Sequence, residues 1–145
     1  MMRNSLEKYF ECKVKYVKMQ EDGKEKKVSE QYVVSACSFG EAEKRITESL
    51  SAYIQGEFDV TDIKIASFGE IIDGTGDGDK FFKAKVTFIA LDESSGKEKK
   101  TSVLYLIQSE SLEAAESDLK KYLSDPSITI SSITETAILD VFTCA

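Results

Sequence analysis

The chain has 145 residues, 41% hydrophobic and 31% charged, with a formal net charge of -7. This length suits one domain rather than two independent ones, and the acidic excess argues against a polyanion that contacts the whole surface. There is no histidine, which removes the commonest general base, the usual zinc ligand and every Ser-His or Cys-His nucleophile. We therefore expect a single domain over residues 1–145 that is not an enzyme and uses no cofactor.

The sequence also predicts a cellular location. No apolar run is long enough to span a bilayer, and a charged segment takes the place of a signal peptide at the start. The cysteines Cys12, Cys37 and Cys144 are odd in number and have no metal-ligand spacing. We expect a cytoplasmic protein with no membrane contact, whose thiols are free and hold no metal.

The first predicted elements are two strands joined by a turn. From Phe10 to Tyr16, apolar residues alternate with polar ones, which is typical of a half-buried antiparallel strand. The charged segment 19–27 contains one glycine and predicts a hairpin turn. The second strand follows over residues 28–36.

A helix and a long closing strand come next. Ser38, with Glu41 three residues later, forms a capping box, and apolar residues then recur at intervals of three and four. The helix is expected to end near Gly56. Residues 58–72 predict one long strand with a bulge or bend at Gly69.

The second half of the chain repeats this order. Lys8, Phe10 and Val14 align with Lys80, Phe82 and Val86, and the turn sequence Gly23–Lys27 is identical to Gly96–Lys100. The second half therefore predicts strands over 82–89 and 101–108, a helix capped by Ser111 that ends before Pro126, and a closing strand over 128–142.

We interpret this similarity as an internal duplication, since a repeat period indicates one structural unit used twice. Residues 6–72 and 80–142 are the two ββαβ copies, and residues 73–79 link them. The predicted class is α+β, with a mainly antiparallel sheet and two helices. A strand-helix-strand segment from each copy would allow a ferredoxin-like, pseudo-twofold arrangement.

The core is predicted to contain matched residues from the two copies. From the first copy these are Phe10, Val14, Tyr16, Tyr32, Val34, Ile46 and Leu50. Their counterparts are Phe82, Val86, Phe88, Tyr105, Ile107, Leu119 and Leu123.

The linker Asp73–Asp79 is similar to the start of a calcium loop. Oxygen ligands occupy its odd positions, and Gly78 occupies the sixth. The twelfth position should supply a bidentate glutamate, but it is Ala84. We therefore expect a mobile joint that binds no metal, and no calcium more tightly than about millimolar.

The polar faces of the two first strands are the candidate binding surface. Each combines an aromatic ring with lysines, which is the composition that single-strand nucleic-acid binders use for stacking and phosphate contacts. The candidate residues are Tyr9, Lys13, Lys15, Phe81, Lys83 and Lys85. Lysines on exposed strands also serve solubility and edge protection, so this pattern is not specific to nucleic acid.

A carboxylate pair is the candidate for catalysis. Glu70 and Asp140 occupy matching places in the two closing strands, and paired carboxylates can act as acid and base. Matching positions in a repeat need not lie close together. An enzyme that uses these two residues is therefore the third hypothesis.

Several segments resemble an uncharacterised family of short proteins from gut bacteria and their phages or mobile elements. They are Tyr9–Tyr16, Phe81–Glu93, Gly96–Lys100, Glu135–Thr136 and Leu139–Phe142. The resemblance covers nearly the whole chain. It implies a cytoplasmic role connected with a mobile element, and it implies no reaction, ligand or site residue.

These observations lead to one main hypothesis and two alternatives. The main hypothesis is a non-enzymatic binding module that associates with a protein partner or with itself. The first alternative is a single-strand nucleic-acid binder, and the second is the carboxylate enzyme.

Overall fold

A computed structural model describes residues 7–74 and 78–143. The first half of the chain contains strands β1 (Lys8–Met19) and β2 (Glu25–Ala36), helix α1 (Phe39–Ser51) and strands β3 (Phe58–Ile65) and β4 (Glu70–Asp73). The second half has the same order: β5 (Lys80–Leu91), β6 (Glu98–Ser109), α2 (Leu112–Leu123), β7 (Thr129–Glu135) and β8 (Ile138–Phe142). The α+β class and the two predicted helices are therefore confirmed.

The closing strands differ from the prediction. Residues 58–72 form two strands, β3 and β4, instead of one bent strand, and residues 128–142 likewise form β7 and β8. β3 pairs antiparallel with β1, whereas β4 pairs in parallel with β6. The bend predicted at Gly69 is thus a complete break, after which the chain joins a different sheet.

The described strands form two four-stranded sheets, with the orders β3-β1-β2-β8 and β4-β6-β5-β7. The single widened sheet of a ferredoxin-like arrangement is therefore not the observed topology. The chain divides into two compact units: unit 1 contains Met1–Ala66 and Ala137–Ala145, and unit 2 contains Ser67–Thr136. Each unit holds one sheet and one helix. Its fourth strand comes from the other half of the chain, because β8 pairs with β2 and β4 pairs with β6.

The core of each unit lies between its helix and its sheet. In unit 1 it is formed by Phe10, Cys12, Val14, Tyr32, Val34, Ala36, Ala42, Ile46, Leu50 and Ile54. In unit 2 it is formed by Ile72, Phe82, Ala84, Val86, Tyr105, Ile107, Ala115 and Leu119. Tyr16, Phe88 and Leu123 pack against these cores and are partly buried. All the predicted core positions therefore belong to a core or contact it.

Matching local features accompany these cores. The Ser38 hydroxyl accepts from the backbone N–H of Glu41, and the Ser111 hydroxyl accepts from that of Ala114, each at 3.1 Å. Such caps satisfy one of the unpaired N–H groups at a helix start. The register of β1 with β3 shifts after Lys13, and that of β5 with β7 shifts after Lys85. A bulge therefore lies at the same place in both units.

The hairpins are longer than the sequence predicted. β2 begins at Glu25 and β6 at Glu98, so charged residues that were assigned to the turns extend the strands. Only residues 20–24 and 92–97 remain as turns, and Gly23 and Gly96 have positive φ angles there. Among the described residues, no helix is both long enough and apolar enough to cross a membrane.

Candidate binding surface

The predicted binding residues of unit 1 share one face of β1. Phe10, Cys12 and Val14 face the helix and the core. Because side chains alternate along a strand, Tyr9, Lys13 and Lys15 lie on the other face. Tyr9 and Lys13 are half-buried, and Lys15 is exposed.

Carboxylates of β3 lie beside these lysines. Lys13 is opposite Asp62, and Lys15 is opposite Asp59. Directly opposed residues in antiparallel strands have Cβ atoms about 4.5–5.5 Å apart. Each lysine therefore has a negative charge as its cross-strand neighbour, which weakens the attraction of this face for phosphate groups.

The predicted residues of unit 2 share one face of β5 in the same way, but they are less accessible. Phe81 is only 3% exposed, so its ring is not available to stack on a base. The ammonium nitrogen of Lys83 lies 5.9 Å from the centre of the Phe68 ring, a cation-π geometry. Lys85 is exposed. The combination of an open ring and open lysines is thus absent from the described part of β5.

Both long hairpins extend beyond their third strand. The pairing of β1 with β3 ends at Tyr16, and the pairing of β5 with β7 ends at Thr87. The two-stranded ends are called arm 1 (residues 17–27) and arm 2 (residues 88–101). Both arms carry exposed apolar side chains.

The exposed apolar positions of the two arms correspond. Met19 ends β1 and is 64% exposed, while Leu91 ends β5 and is 71% exposed. Each faces a glutamate across the hairpin, Glu25 or Glu98. Sequence analysis assigned Met19 to a turn, and the only signal for its role was an apolar residue at the same place in both copies.

A pocket of about 480 Å³ lies at the base of arm 1. It is lined by Lys15, Tyr16, Val17, Lys27, Val28, Ser29 and Asp59. Lys15 was a predicted binding residue. Tyr16 and Val17 follow it on β1, and strands β2 and β3 bring the remaining lining residues to Lys15 only after folding.

Two tyrosines share one carboxylate beside this pocket. The Tyr32 hydroxyl donates to Oε1 of Glu30 at 3.2 Å, and its ring stacks on Phe142 with centroids 5.8 Å apart. Burial, together with the hydrogen bond to Glu30, raises the pKa of Tyr16 to about 12. Burial and the charge of Glu30 also raise the pKa of Tyr32. Both phenols are therefore neutral donors at physiological pH.

The two carboxylates proposed for catalysis lie in different units. Glu70 of β4 accepts a hydrogen bond from the Tyr122 hydroxyl in unit 2. Asp140 of β8, in unit 1, accepts from the backbone N–H of Val141 at 2.8 Å. Each carboxylate thus has a structural partner of its own.

One cluster combines a thiol with carboxylates. Ligand atoms of Glu7, Cys37 and Glu41 all lie within 4.8 Å of one another. Glu41 also accepts from the backbone N–H of Cys37 at 3.4 Å and pairs with Arg45 at 3.2 Å. Glu41 thus has the contacts of a residue in the first turn of a helix, and these contacts need no metal.

The centre of the linker, residues 75–77, lies outside the described residues, so its predicted mobility and lack of calcium binding stay predictions. The flanking glycines are described. The backbone N–H of Gly74 donates to the Gln108 carbonyl at 2.8 Å, and the Gln108 side chain donates to the Gly78 carbonyl at 3.0 Å. Both ends of the linker are therefore attached to β6.

The fold and its surface define an α+β protein of two similar units with two exposed hairpin arms. The chain belongs to the family described as a domain of unknown function, DUF4494, whose sequence model matches residues 8–144. No curated protein and no solved structure matches the chain significantly.

Proposed function

We propose that this chain is a non-enzymatic binding module whose partner is a protein, either a different one or a second copy of itself. The observation that carries the proposal is the exposure of Met19 and Leu91 at equivalent positions of the two arms. Burial of one such side chain stabilises a complex by about 1.5–3 kcal/mol. An exposed apolar residue retained in both repeats is more readily explained by a contact than by chance.

The form of the arms supports the same function. An isolated two-stranded hairpin is marginally stable in water and presents unpaired backbone groups at its edges. Lys18 and Lys26 are opposite each other in arm 1, and lysines on exposed strands disfavour indiscriminate pairing with other chains. We infer that the arms bind a specific protein partner.

The test compares a double variant with a matched control. Met19→Ser with Leu91→Ser removes the apolar contacts, while Lys24→Ser with Lys97→Ser changes exposed residues at the adjacent turns. Sedimentation equilibrium of the full chain measures self-association. A photo-reactive residue in place of Met19 identifies other partners in cells, and each partner is then purified for titration.

We expect a complex, either a dimer or a purified heterologous pair, that the double variant weakens at least about tenfold, a loss of about 1.4 kcal/mol. The control should bind like the wild type. A monomeric wild type whose cross-linked proteins bind the double variant equally well would refute the proposal.

The nucleic-acid alternative has weaker support. Lys15 and Lys85 are exposed, but Phe81 is buried and Asp59 faces Lys15. With a net charge of -7, we expect a flat fluorescence anisotropy titration with a single-stranded oligonucleotide at low salt. A steep, salt-dependent curve that Lys13→Glu with Lys85→Glu abolishes would favour this alternative instead.

We also propose that the protein acts in the cytoplasm of a gut bacterium, in connection with a phage or mobile element. The support is the sequence resemblance described above and the exposed thiol of Cys37, which a reducing compartment preserves. Fractionation of cells that produce the full chain tests the location. Recovery with the membrane or outside the cell would contradict it.

A further inference from the structure

The pocket at the base of arm 1 has an unbalanced charge. Lys15, Lys27 and Asp59 contribute two ammonium groups and one carboxylate to its lining. Neither lysine forms an ion pair among the described residues of the chain. One positive charge is therefore in excess, on a protein whose net charge is negative.

The pairing of β1 with β2 and β3 brings the charged groups of the pocket close together. Lys15 is opposite Ser29 on β2 and Asp59 on β3, and Val17 is opposite Lys27. All five side chains are thus on the face of the sheet away from α1. The Ser29 hydroxyl adds a donor and Val17, which is 46% exposed, adds an apolar wall.

In unit 2 the equivalent position is occupied by neutral side chains that hydrogen-bond to one another. Thr87 and Thr129 replace Lys15 and Asp59, and they face each other in the same register. The Thr87 hydroxyl is 3.3 Å from that of Ser102 and 2.9 Å from that of Ser131. These hydroxyls satisfy one another, so the described part of unit 2 has no opposed charges at this position and keeps only Lys100, the counterpart of Lys27.

We propose that the arm 1 pocket binds a small organic anion, a carboxylate joined to an apolar body. The carboxylate lies between Lys15 and Lys27 and accepts from Ser29, while the apolar body covers Val17. A volume of about 480 Å³ falls within the range of about 300–1,000 Å³ that is typical of ligand pockets. A bare inorganic anion would leave the apolar wall in water. This site is independent of the apolar contacts of Met19 and Leu91.

The experiment is an NMR titration of the ¹⁵N-labelled full chain with 4-phenylbutyrate. The neutral probe 4-phenylbutyramide and inorganic phosphate are titrated in parallel. We expect saturable shifts of the Val17, Val28 and Ser29 amide signals with 4-phenylbutyrate alone. Lys15→Thr with Lys27→Thr should weaken binding roughly tenfold, about threefold for each exposed lysine.

The matched control is Lys100→Thr, which removes the unit 2 counterpart of Lys27 and should leave the affinity unchanged. Thermal unfolding of each variant shows that it is folded. Equal binding of the amide or of phosphate, shifts confined to other residues, a titration without saturation, or wild-type affinity in the double variant would each overturn the proposal. The site can fail while the protein partner is confirmed, since Met19 and Leu91 do not line it.

Discussion

Among the described residues, unit 1 and unit 2 provide different hydrogen-bond donors to the carbonyl near the end of their second strands. In unit 1 the Arg45 guanidinium of α1 donates to the Ser35 carbonyl. In unit 2 the equivalent carbonyl, that of Gln108, accepts from the backbone N–H of Gly74 at 2.8 Å. A described side chain in one unit and a backbone N–H in the other therefore serve the same purpose, which is to hydrogen-bond a partly buried carbonyl.

The hydrogen bond from the Gly74 backbone restricts the sequence more than the hydrogen bond from the Arg45 side chain does. A Cβ atom on Gly74 would lie 2.3 Å from the Gln108 carbonyl oxygen and 2.7 Å from Oδ2 of Asp118. Asp118 stands in α2 where α1 has Arg45. Two units with matching cores thus differ in the helix residue at this position.

The largest expected effect tests whether the two cores are equivalent. Ile46 and Leu119 are matched helix residues with 0% exposure, so replacement of either by alanine should lower the free energy of unfolding by about 2–5 kcal/mol. Urea denaturation followed by circular dichroism measures both, with the exposed Glu48→Ala as the control. A cost below about 1 kcal/mol for only one of the two would show that the cores are not equivalent.

The second prediction concerns the close approach in unit 2. Gly74→Ala should destabilise by about 1–3 kcal/mol, because the new methyl group overlaps backbone and a buried side chain. Gly69→Ala is the matched control, since a Cβ there has no neighbour within 4 Å, and it should change stability by less than about 0.5 kcal/mol. Equal stabilities of the two variants would contradict the described path of the chain at Gly74.

The third prediction concerns the corresponding contact in unit 1. Arg45→Met keeps much of the side-chain length but removes the donor to the Ser35 carbonyl and the partner of Glu41. We expect a loss of about 1–3 kcal/mol, against little change for the neighbouring exposed residue in Lys44→Met. If both variants unfold at the same urea concentration, the Arg45 contact contributes nothing.

The last stability prediction concerns pH, and near neutral pH it has no effect. Burial, with the charges of Asp62 and Glu11, raises the pKa of the Cys12 thiol from 9.0 to about 12. The folded state therefore disfavours the thiolate, and stability should fall as pH rises from about 9 to 12. Cys12→Ala, which places in unit 1 the residue that unit 2 has at Ala84, should reduce this fall. Tyr16 keeps part of it, because its pKa is also raised to about 12.

Alkylation gives an independent check on Cys12. In a Cys144→Ser background near pH 9, the exposed Cys37 should react with iodoacetamide much faster than Cys12, which is only 1% exposed. Mass spectrometry of the digested protein locates the label. Equal rates would mean that the thiol of Cys12 is accessible.

The local sequence pattern was enough to predict most helices and strands, but not which strands pair with one another. Ile46 and Leu119 were predicted as core residues because helical spacing marks the buried face without knowledge of the sheet. The same apolar pattern runs through residues 58–72, and it does not distinguish one bent strand from two strands in different sheets. The break after Ile65 depends on β4 pairing with β6, a contact between residues far apart in the chain.

The candidate binding residues, like the fold, were predicted only in part from the sequence. Lys15 was identified from its alternation with apolar residues on β1, whereas Lys27 and Asp59 came to it through the register of β2 and β3. Phe81 had the same alternation signal as Tyr9, yet it is buried. A period of two indicates which residues share a face of a strand, but not whether that face is covered.

The sequence by itself determined the repeated order of strands and helix, the caps at Ser38 and Ser111, and the matched core positions, because each depends on residues within a few positions of one another. Only the tertiary structure decided that β8 joins β2, that β4 joins β6, and which lysines remain accessible. Strand pairing depends on backbone hydrogen bonds that any sequence can form, so the choice among edges is made by the packing of the whole unit.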